Sequence, residues 1–241
     1  MNREENVFLA KKLFTELVFN TAYIEGVNVT FPQTQAIIDG AIVNNVPVSD
    51  IQTVLNLRDA WKYMLENIDV PLTLNYVCKV NERVSKNESL DWGTLRDGTI
   101  GISGTDYTPP IPQKEEVENI LYNINTISDA REKAAEYFCY AVRGQLFWDG
   151  NKRTSTIISS KILIEAGQGV LTIGKSNALN FNTALLHLYD TADKEPLKEC
   201  LRKCIKTIDR VSMKNKMQEA AGKSEKNSKE KVMKKENDLF R

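Results

Sequence analysis

The chain has 241 residues, enough for one sizeable hydrophobic core or at most two small ones. Hydrophobic residues make up 41% and charged residues 27%, and 32 basic side chains balance 32 acidic ones, so no global field points to nucleic acid or a membrane surface. No apolar run approaches the roughly 20 residues that span a bilayer, and the N-terminus, MNREENVFLA, lacks a signal peptide's apolar core; a cytoplasmic protein is expected.

Phe8, Leu9, Leu13, Phe14, Leu17 and Val18 recur at three- and four-residue spacing and predict an amphipathic helix over 4–20. After an interruption, TAYIEGVNVTFPQT, helical patterns resume at about 33–44, 49–68 and 73–86. The stretch 91–112 is rich in Gly, Thr and Pro, and its alternating piece around Ile100 and Ile102 predicts a small β-hairpin. Helices are expected again at 114–127, 130–143, 152–166 (Ile157, Ile158 and Ile162 inward, Gly167 as the stop), 177–190 and 194–210. The fold class is therefore all-α, a helical bundle with one small hairpin.

From 212 onward the chain is basic and almost free of large apolar residues until Leu239 and Phe240, which predicts a disordered or frayed tail over 212–241. Cys200 and Cys204 are four apart, on one face of a helix, while Cys78 and Cys139 lie far away. With His187 the chain's single histidine, reduced and partly buried thiols are expected rather than a metal set. His187 itself reads as a packed helix residue.

The densest chemistry lies in GQLFWDGNKRTST, residues 144–156, where an acid, a glycine, an amide and two cations follow one another: Asp149, Gly150, Asn151, Lys152 and Arg153. A loop running into a helix N-terminus presents unpaired N–H groups at the positive end of the helix dipole, a ready anion site. Gly150 lets the backbone approach a phosphate, Asn151 can cap the helix or donate its amide, and Lys152 and Arg153 add positive charge. Asp149 would repel a phosphate unless a cation such as Mg²⁺ lay between them. The same four residues, DGNK, are also ordinary turn chemistry between two helices.

Three segments resemble the Fic family. Gln145-Leu-Phe147-Trp-Asp149-Gly150-Asn151-Lys152-Arg153 matches the family signature H-x-F-x-D/E-G-N-G/K-R at every position except the histidine. LRDGTIGISGTDYTPP, residues 95–110, is similar to the Fic flap, and NTAYIEGVNVT, residues 20–30, to the inhibitory-helix motif S/T-x-x-x-E-G/N. They occur in the order of the subclass whose inhibitory helix (here about 20–27) is N-terminal, and imply a single Fic-type domain over 1–211.

The resemblance implies binding of Mg–ATP and transfer of AMP to a Ser, Thr or Tyr hydroxyl of a target protein. It assigns Mg²⁺ to Asp149, an anion hole to Gly150, Asn151 and Lys152, the β-phosphate to Arg153, inhibition to Glu25, and target docking to Gly101, Ile102, Ser103 and Gly104 of the flap. Phe147 would anchor the loop. Gln145 stands where the family has its general-base histidine, and Thr156 where many members carry a second arginine, the usual partner of the inhibitory glutamate; Glu25 is expected to pair with Arg153 or Lys152 instead. Two other readings stay open: a nucleotide-binding regulator or interaction module that has lost turnover, favoured by Gln145, and a Doc-like kinase or toxin, favoured by Lys152. A bacterial-type regulator or toxin and a homo-oligomer are compatible with these readings.

Overall fold

The expected first helix is two helices. In the computed structural model, which describes residues 2–207, α1 (Arg3–Lys12) ends and α2 (Phe14–Tyr23) begins at Leu13, whose φ of −92° and ψ of 9° leave the α-helical region. The break turns Phe8 outward, 57% exposed, while Leu9, Leu17 and Val18 stay inside. The basic tail expected over 212–241 lies outside the described residues.

The helices that follow keep their predicted order, with boundaries set by local chemistry. A capping box between Thr30 and Gln33 starts α3 (Phe31–Ile38), which stops at the Asp39–Gly40 turn rather than at 44. Next come α4 (Val48–Glu66) and α5 (Leu74–Val84), the latter capped by the Thr73 hydroxyl on the Tyr76 N–H. After an irregular stretch come α6 (Lys114–Asn125) and α7 (Ala130–Gly144), whose N-terminus is capped by the Asp129 carboxylate on the N–H groups of Arg131 and Glu132.

The helix after the candidate loop, α8 (Asn151–Glu165), departs most from its expected character. Ile157, Ile158 and Ile162 are buried as predicted, but so is every other residue of this helix except Lys152 and Glu165. It runs through the middle of the bundle against α1, α4, α5 and α7. Its hydroxyl side chains survive burial by bonding to backbone carbonyls: Ser155 to Asn151 (2.7 Å), Thr156 to Lys152 (2.9 Å) and Ser159 to Ala134 (2.9 Å). Small polar residues therefore mimic a wet face in a helix that has none.

The chain then forms β1 (Val170–Leu171), a 3₁₀ turn (Lys175–Asn177), α9 (Ala178–Thr191), α10 (Glu195–Lys203) and β2 (Ile205–Lys206). The expected extension of α10 to 210 fails because the chain turns at Cys204 to pair β2 antiparallel with β1, Leu171 opposite Ile205 and Val170 opposite Lys206. This is the sheet of the described residues. The hairpin expected around Ile100 and Ile102 is not paired: 97–113 has a turn at Ser103–Gly104 but no strand. The mostly helical architecture with a two-stranded sheet stands, with the sheet elsewhere. Among the described residues no helix is long and apolar enough to cross a membrane.

An ionic network ties α10 to α7. The nearly buried Lys198 ammonium pairs with Glu132 and Glu136, Lys194 reaches Glu136, and Arg202 reaches Glu132 at 2.8 Å. Burial works to raise the Glu136 carboxyl, but hydrogen bonds from Lys194 and Lys198 outweigh it and hold it below the ordinary glutamate value. Hydrogen bonds from Lys198 and Arg202 lower Glu132 likewise. Their stabilisation is complete above the unfolded glutamate value, about 4.5, and is lost as pH falls through the lower folded values. Thermal melts between pH 6 and pH 3 are expected to show the parent losing Tm below about pH 4.5. Glu136→Gln should start from a lower Tm at pH 6 and show a shallower acid-induced drop; a parallel curve would refute the role of this pair.

Candidate active site

Gln145 ends α7 in the left-handed region, φ 43° and ψ 63°, and so turns the chain into the loop that leads to α8. The loop is held mainly by Arg96, a buried arginine that meets no carboxylate among the described residues. Its guanidinium donates to the carbonyls of Gln145 (2.6 Å), Gly144 (3.3 Å), Gly98, Pro109 (3.1 Å) and Pro110, and its own N–H donates to Leu146 O at 3.0 Å. One side chain thus binds both ends of the flap to the loop. Burial pushes this guanidinium below its ordinary value. Gly98 leaves room for the Trp148 ring, whose Cη2 would lie 2.5 Å from an added Cβ.

From below, α5 supports the turn at Asp149 and Gly150. The Asp149 carbonyl accepts from Asn81 Nδ2 (3.0 Å) and Ser85 Oγ (2.9 Å), and Asn81 Nδ2 also reaches Thr154 Oγ1 at 3.2 Å. Gly150 takes φ +74°, and an added Cβ would lie 2.3 Å from Ser85 Oγ and 2.7 Å from Val84 Cγ1. Both the backbone conformation and the close approach of α5 require glycine here. Among the described residues no side chain caps the N-terminus of α8, where the helix dipole is positive.

The predicted site residues come together here, with altered tasks for several of them. Asn151 faces inward: its amide donates to Phe147 O (2.7 Å) and Gln145 Oε1 (2.9 Å), and its oxygen accepts from Phe147 N (3.0 Å). Gln145 Nε2 donates to Val142 O (2.8 Å) and to the Tyr189 hydroxyl (3.1 Å). Every polar atom of the Gln145 amide is therefore engaged. Tyr189 offers no replacement base, because burial pushes its hydroxyl further up from an already high value. Phe147 is buried, as an anchor would be.

The two cations are already paired. Lys152 Nζ lies 3.3 Å from Glu25 Oε2 and donates to Ile24 O at 3.2 Å. Arg153, only 4% exposed, places its guanidinium against Glu88, against Asp149 at 3.2 Å and opposite Glu25 at 3.7 Å. Burial alone would push Arg153 down, but these carboxylates hold it above its ordinary value. Two cations thus face three carboxylates. Glu25 sits in the turn just after α2, and Thr156, buried, has its hydroxyl bonded back to Lys152 O.

His187 is a correction: it is exposed on α9, beside Asp193 at 3.2 Å, rather than packed. Cys200 and Cys204 are free; burial keeps Cys204 away from solvent and its thiol helps lower Cys200 to about 7. Among the described residues no three His, Cys, Asp or Glu side chains form a metal cage.

Gly101, Ser103 and Gly104 of the flap are exposed and Ile102 half-buried, and among the described residues no backbone–backbone hydrogen bond involves 99–104. The next residues dock on α9: Thr105 bonds Asp190, and Tyr107 stacks on Tyr189 with centroids 6.3 Å apart while the Arg143 guanidinium lies over the Tyr107 ring, 4.0 Å from its centroid. Gly104–Tyr107, Tyr189 and Asp190 border a cleft of about 670 Å³ beside Gln145.

Sequence reasoning missed Arg96 as the clamp, Asn81 and Ser85 as the support, Glu88 as the second acid and Tyr189 as the partner of Gln145. Arg96 had a signal, as the first residue of the flap-like pattern. The others come from segments whose only sequence mark is helical periodicity or none.

Fold and loop together define a mostly helical protein with an uncapped start of α8 and, among the described residues, a segment 99–104 without backbone pairing. Residues 71–163 match the family profile described as Fic/DOC family. It is 23% identical over 211 residues to "Protein adenylyltransferase Fic" of Drosophila erecta, an alignment covering 83% of this chain and 42% of that protein. It is 26% identical over 168 residues to the protein of the same name from Nematostella vectensis, covering 65% and 39%. The chain therefore spans about two fifths of the length of the curated relatives it matches. Fic-1 from C. elegans shares the fold, with a TM-score of 0.66 at 20% identity over 79% of this chain and 59% of that one.

Proposed function

We propose that this chain binds Mg–ATP at the N-terminus of α8 and, through residues 1–211 acting as one Fic-type unit, transfers AMP slowly to a Ser, Thr or Tyr hydroxyl of a target protein. The observation that carries this reading is the uncapped start of α8, presented by a rigid loop with Lys152 beside it. A half-exposed Asp149 carboxylate suits a hard divalent cation whose remaining ligands are phosphate oxygens and water; when bound, Mg²⁺ supplies charge neutralisation between carboxylate and phosphates. The free backbone of 99–104 suits an extended target segment added by β-pairing. In the transfer, the hydroxyl oxygen bonds to the α-phosphorus, the bond to the β-phosphate oxygen breaks and pyrophosphate leaves. Gln145 cannot take the hydroxyl proton, which passes to solvent. A cytoplasmic setting fits the four unpaired thiols.

The bonded-up Gln145 amide favours a second reading, a nucleotide-binding regulator without turnover. Incubation with a lysate and α- or γ-labelled ATP separates the readings: label from the α position supports AMP transfer, label from the γ position supports a Doc-like kinase, and binding without label supports the regulator. Glu25 is proposed as the inhibitory residue. Glu25→Gly is expected to tighten Mg–ATP binding about ten-fold in calorimetric titration, because a phosphate no longer competes with a carboxylate for Lys152 and Arg153. Equal affinities would remove Glu25 from that role.

A further inference from the structure

We propose that Glu88 is a second, independent carboxylate brake on the phosphate cradle, a positioning residue that orients Arg153 and holds down its attraction for phosphate. This rests on the proposed binding of nucleotide phosphates at the start of α8.

Two of the three acids on Arg153, Glu25 and Glu88, are mounted differently. Glu25 follows the end of α2, and its carboxylate stands off from the cations at 3.3 and 3.7 Å, distances at which an incoming phosphate can replace it. Glu88 is tethered. Its N–H donates to Ser85 O at 2.9 Å, and its Oε1 accepts from Asn56 Nδ2 at 2.7 Å. Asn56 is fixed in turn by Lys86 O (2.8 Å) and by Gln52 Nε2 (2.8 Å) on the same helix, α4. The other oxygen, Oε2, accepts from Arg153 Nη1, which also reaches Val84 O at 3.3 Å.

These contacts divide the guanidinium. Nη1 is committed to Glu88 and Val84, and Nη2 faces Asp149 at 3.2 Å. Among the described residues the buried Nε has no hydrogen-bond partner, and it looks toward Glu25 at 3.7 Å. Arg153 therefore keeps a buried, uncommitted donor at Nε, turned to the side from which Glu25 approaches. A phosphate that displaces Glu25 meets an arginine whose charge Glu88 already balances, and Glu88 cannot swing away without breaking its bond to Asn56. In Glu88→Gln the amide oxygen accepts from Arg153, while the bond from Asn56 is given up because Asn56 stays held by Lys86 O and Gln52 Nε2. The bond to Arg153 is kept and one negative charge is removed.

The test is calorimetric titration of Mg–ATP and of magnesium pyrophosphate into the whole protein, for the parent, Glu25→Gly, Glu88→Gln and the double variant, with a thermal melt of each. Glu88→Gln should bind pyrophosphate about ten-fold more tightly than the parent, and should add a gain on top of Glu25→Gly. Both gains should shrink at high salt. A Glu88→Gln protein that binds no more tightly, while Glu25→Gly does, would overturn the proposal and leave Glu88 as a support of the fold. Failure of every variant to bind either probe would instead overturn the cradle reading. Should Glu88→Gln not fold, Glu88→Asp draws the charge back by one methylene: a gain of about two- to three-fold is expected, and an affinity no higher than the parent's overturns the proposal.

Discussion

Gln145→His is expected to raise transfer of α-label from ATP to lysate proteins by about 10²–10⁴-fold, the usual contribution of a positioned general base. The backbone accepts the change, since φ at this position is 43° and histidine is among the side chains that tolerate the left-handed region. The amide now there takes no proton near neutral pH, and its bonds to Val142, Tyr189 and Asn151 show it acting as a bracket. An imidazole has one donor and one acceptor in its neutral form, so it can still accept from the Asn151 amide but can keep only one of the two donations, to Val142 O or to the Tyr189 hydroxyl. The variant should therefore gain in turnover while its Mg–ATP affinity changes little, because Lys152, Arg153 and the α8 N-terminus are untouched. The double variant Gln145→His, Glu25→Gly is the decisive form. If it binds Mg–ATP yet transfers no label, a missing base is not what silences the site.

The candidate loop was legible in the sequence because its chemistry is local. Asp149, Gly150, Asn151, Lys152 and Arg153 adjoin in the chain, and the turn and helix start that they encode form where they stand. Among the described residues nine of the ten α-helices follow from apolar periodicity in the same way, and the tenth from splitting one pattern at Leu13. What was not legible depends on partners distant in the chain. Glu88 lies 65 residues from Arg153, and only the packing of α5 against α8 brings them together. The hairpin expected at Ile100 and Ile102 failed because alternation reports strand propensity, while a ladder needs a second strand; Arg96, Tyr107 and Thr105 fasten the segment to other elements instead. The burial of α8 was hidden because Ser and Thr satisfy themselves on its backbone, which no hydropathy pattern records. The pairing of Glu25 with Lys152 and Arg153 was inferable from the loss of the second arginine at Thr156, but the geometry that leaves Arg153 Nε unbonded was not.

Gly150→Ala is expected to remove nucleotide binding and to destabilise the whole fold, since the cradle and the core meet at this residue. An alanine at φ +74° costs about 1–2 kcal/mol in backbone strain. Its Cβ would also lie 2.3 Å from Ser85 Oγ and 2.7 Å from Val84 Cγ1, and forcing a methyl into packed surroundings costs about 1–3 kcal/mol more. Relief requires the Asp149–Gly150 turn to lift from α5, which breaks the bonds from Asn81 and Ser85 to the Asp149 carbonyl. The same movement turns the first N–H groups of α8 away from an incoming phosphate. Denaturant melts should therefore show a loss of about 2–5 kcal/mol, a large share of a domain's stability. Calorimetry below the variant's melting point should show no Mg–ATP binding. Gly174→Ala is the control, because its added Cβ meets nothing nearer than Asn20 Nδ2 at 3.8 Å and should leave the melt unchanged. A Gly150→Ala protein as stable as the parent would mean that α5 does not hold the loop, and retained binding would mean that the phosphate site lies away from the α8 N-terminus.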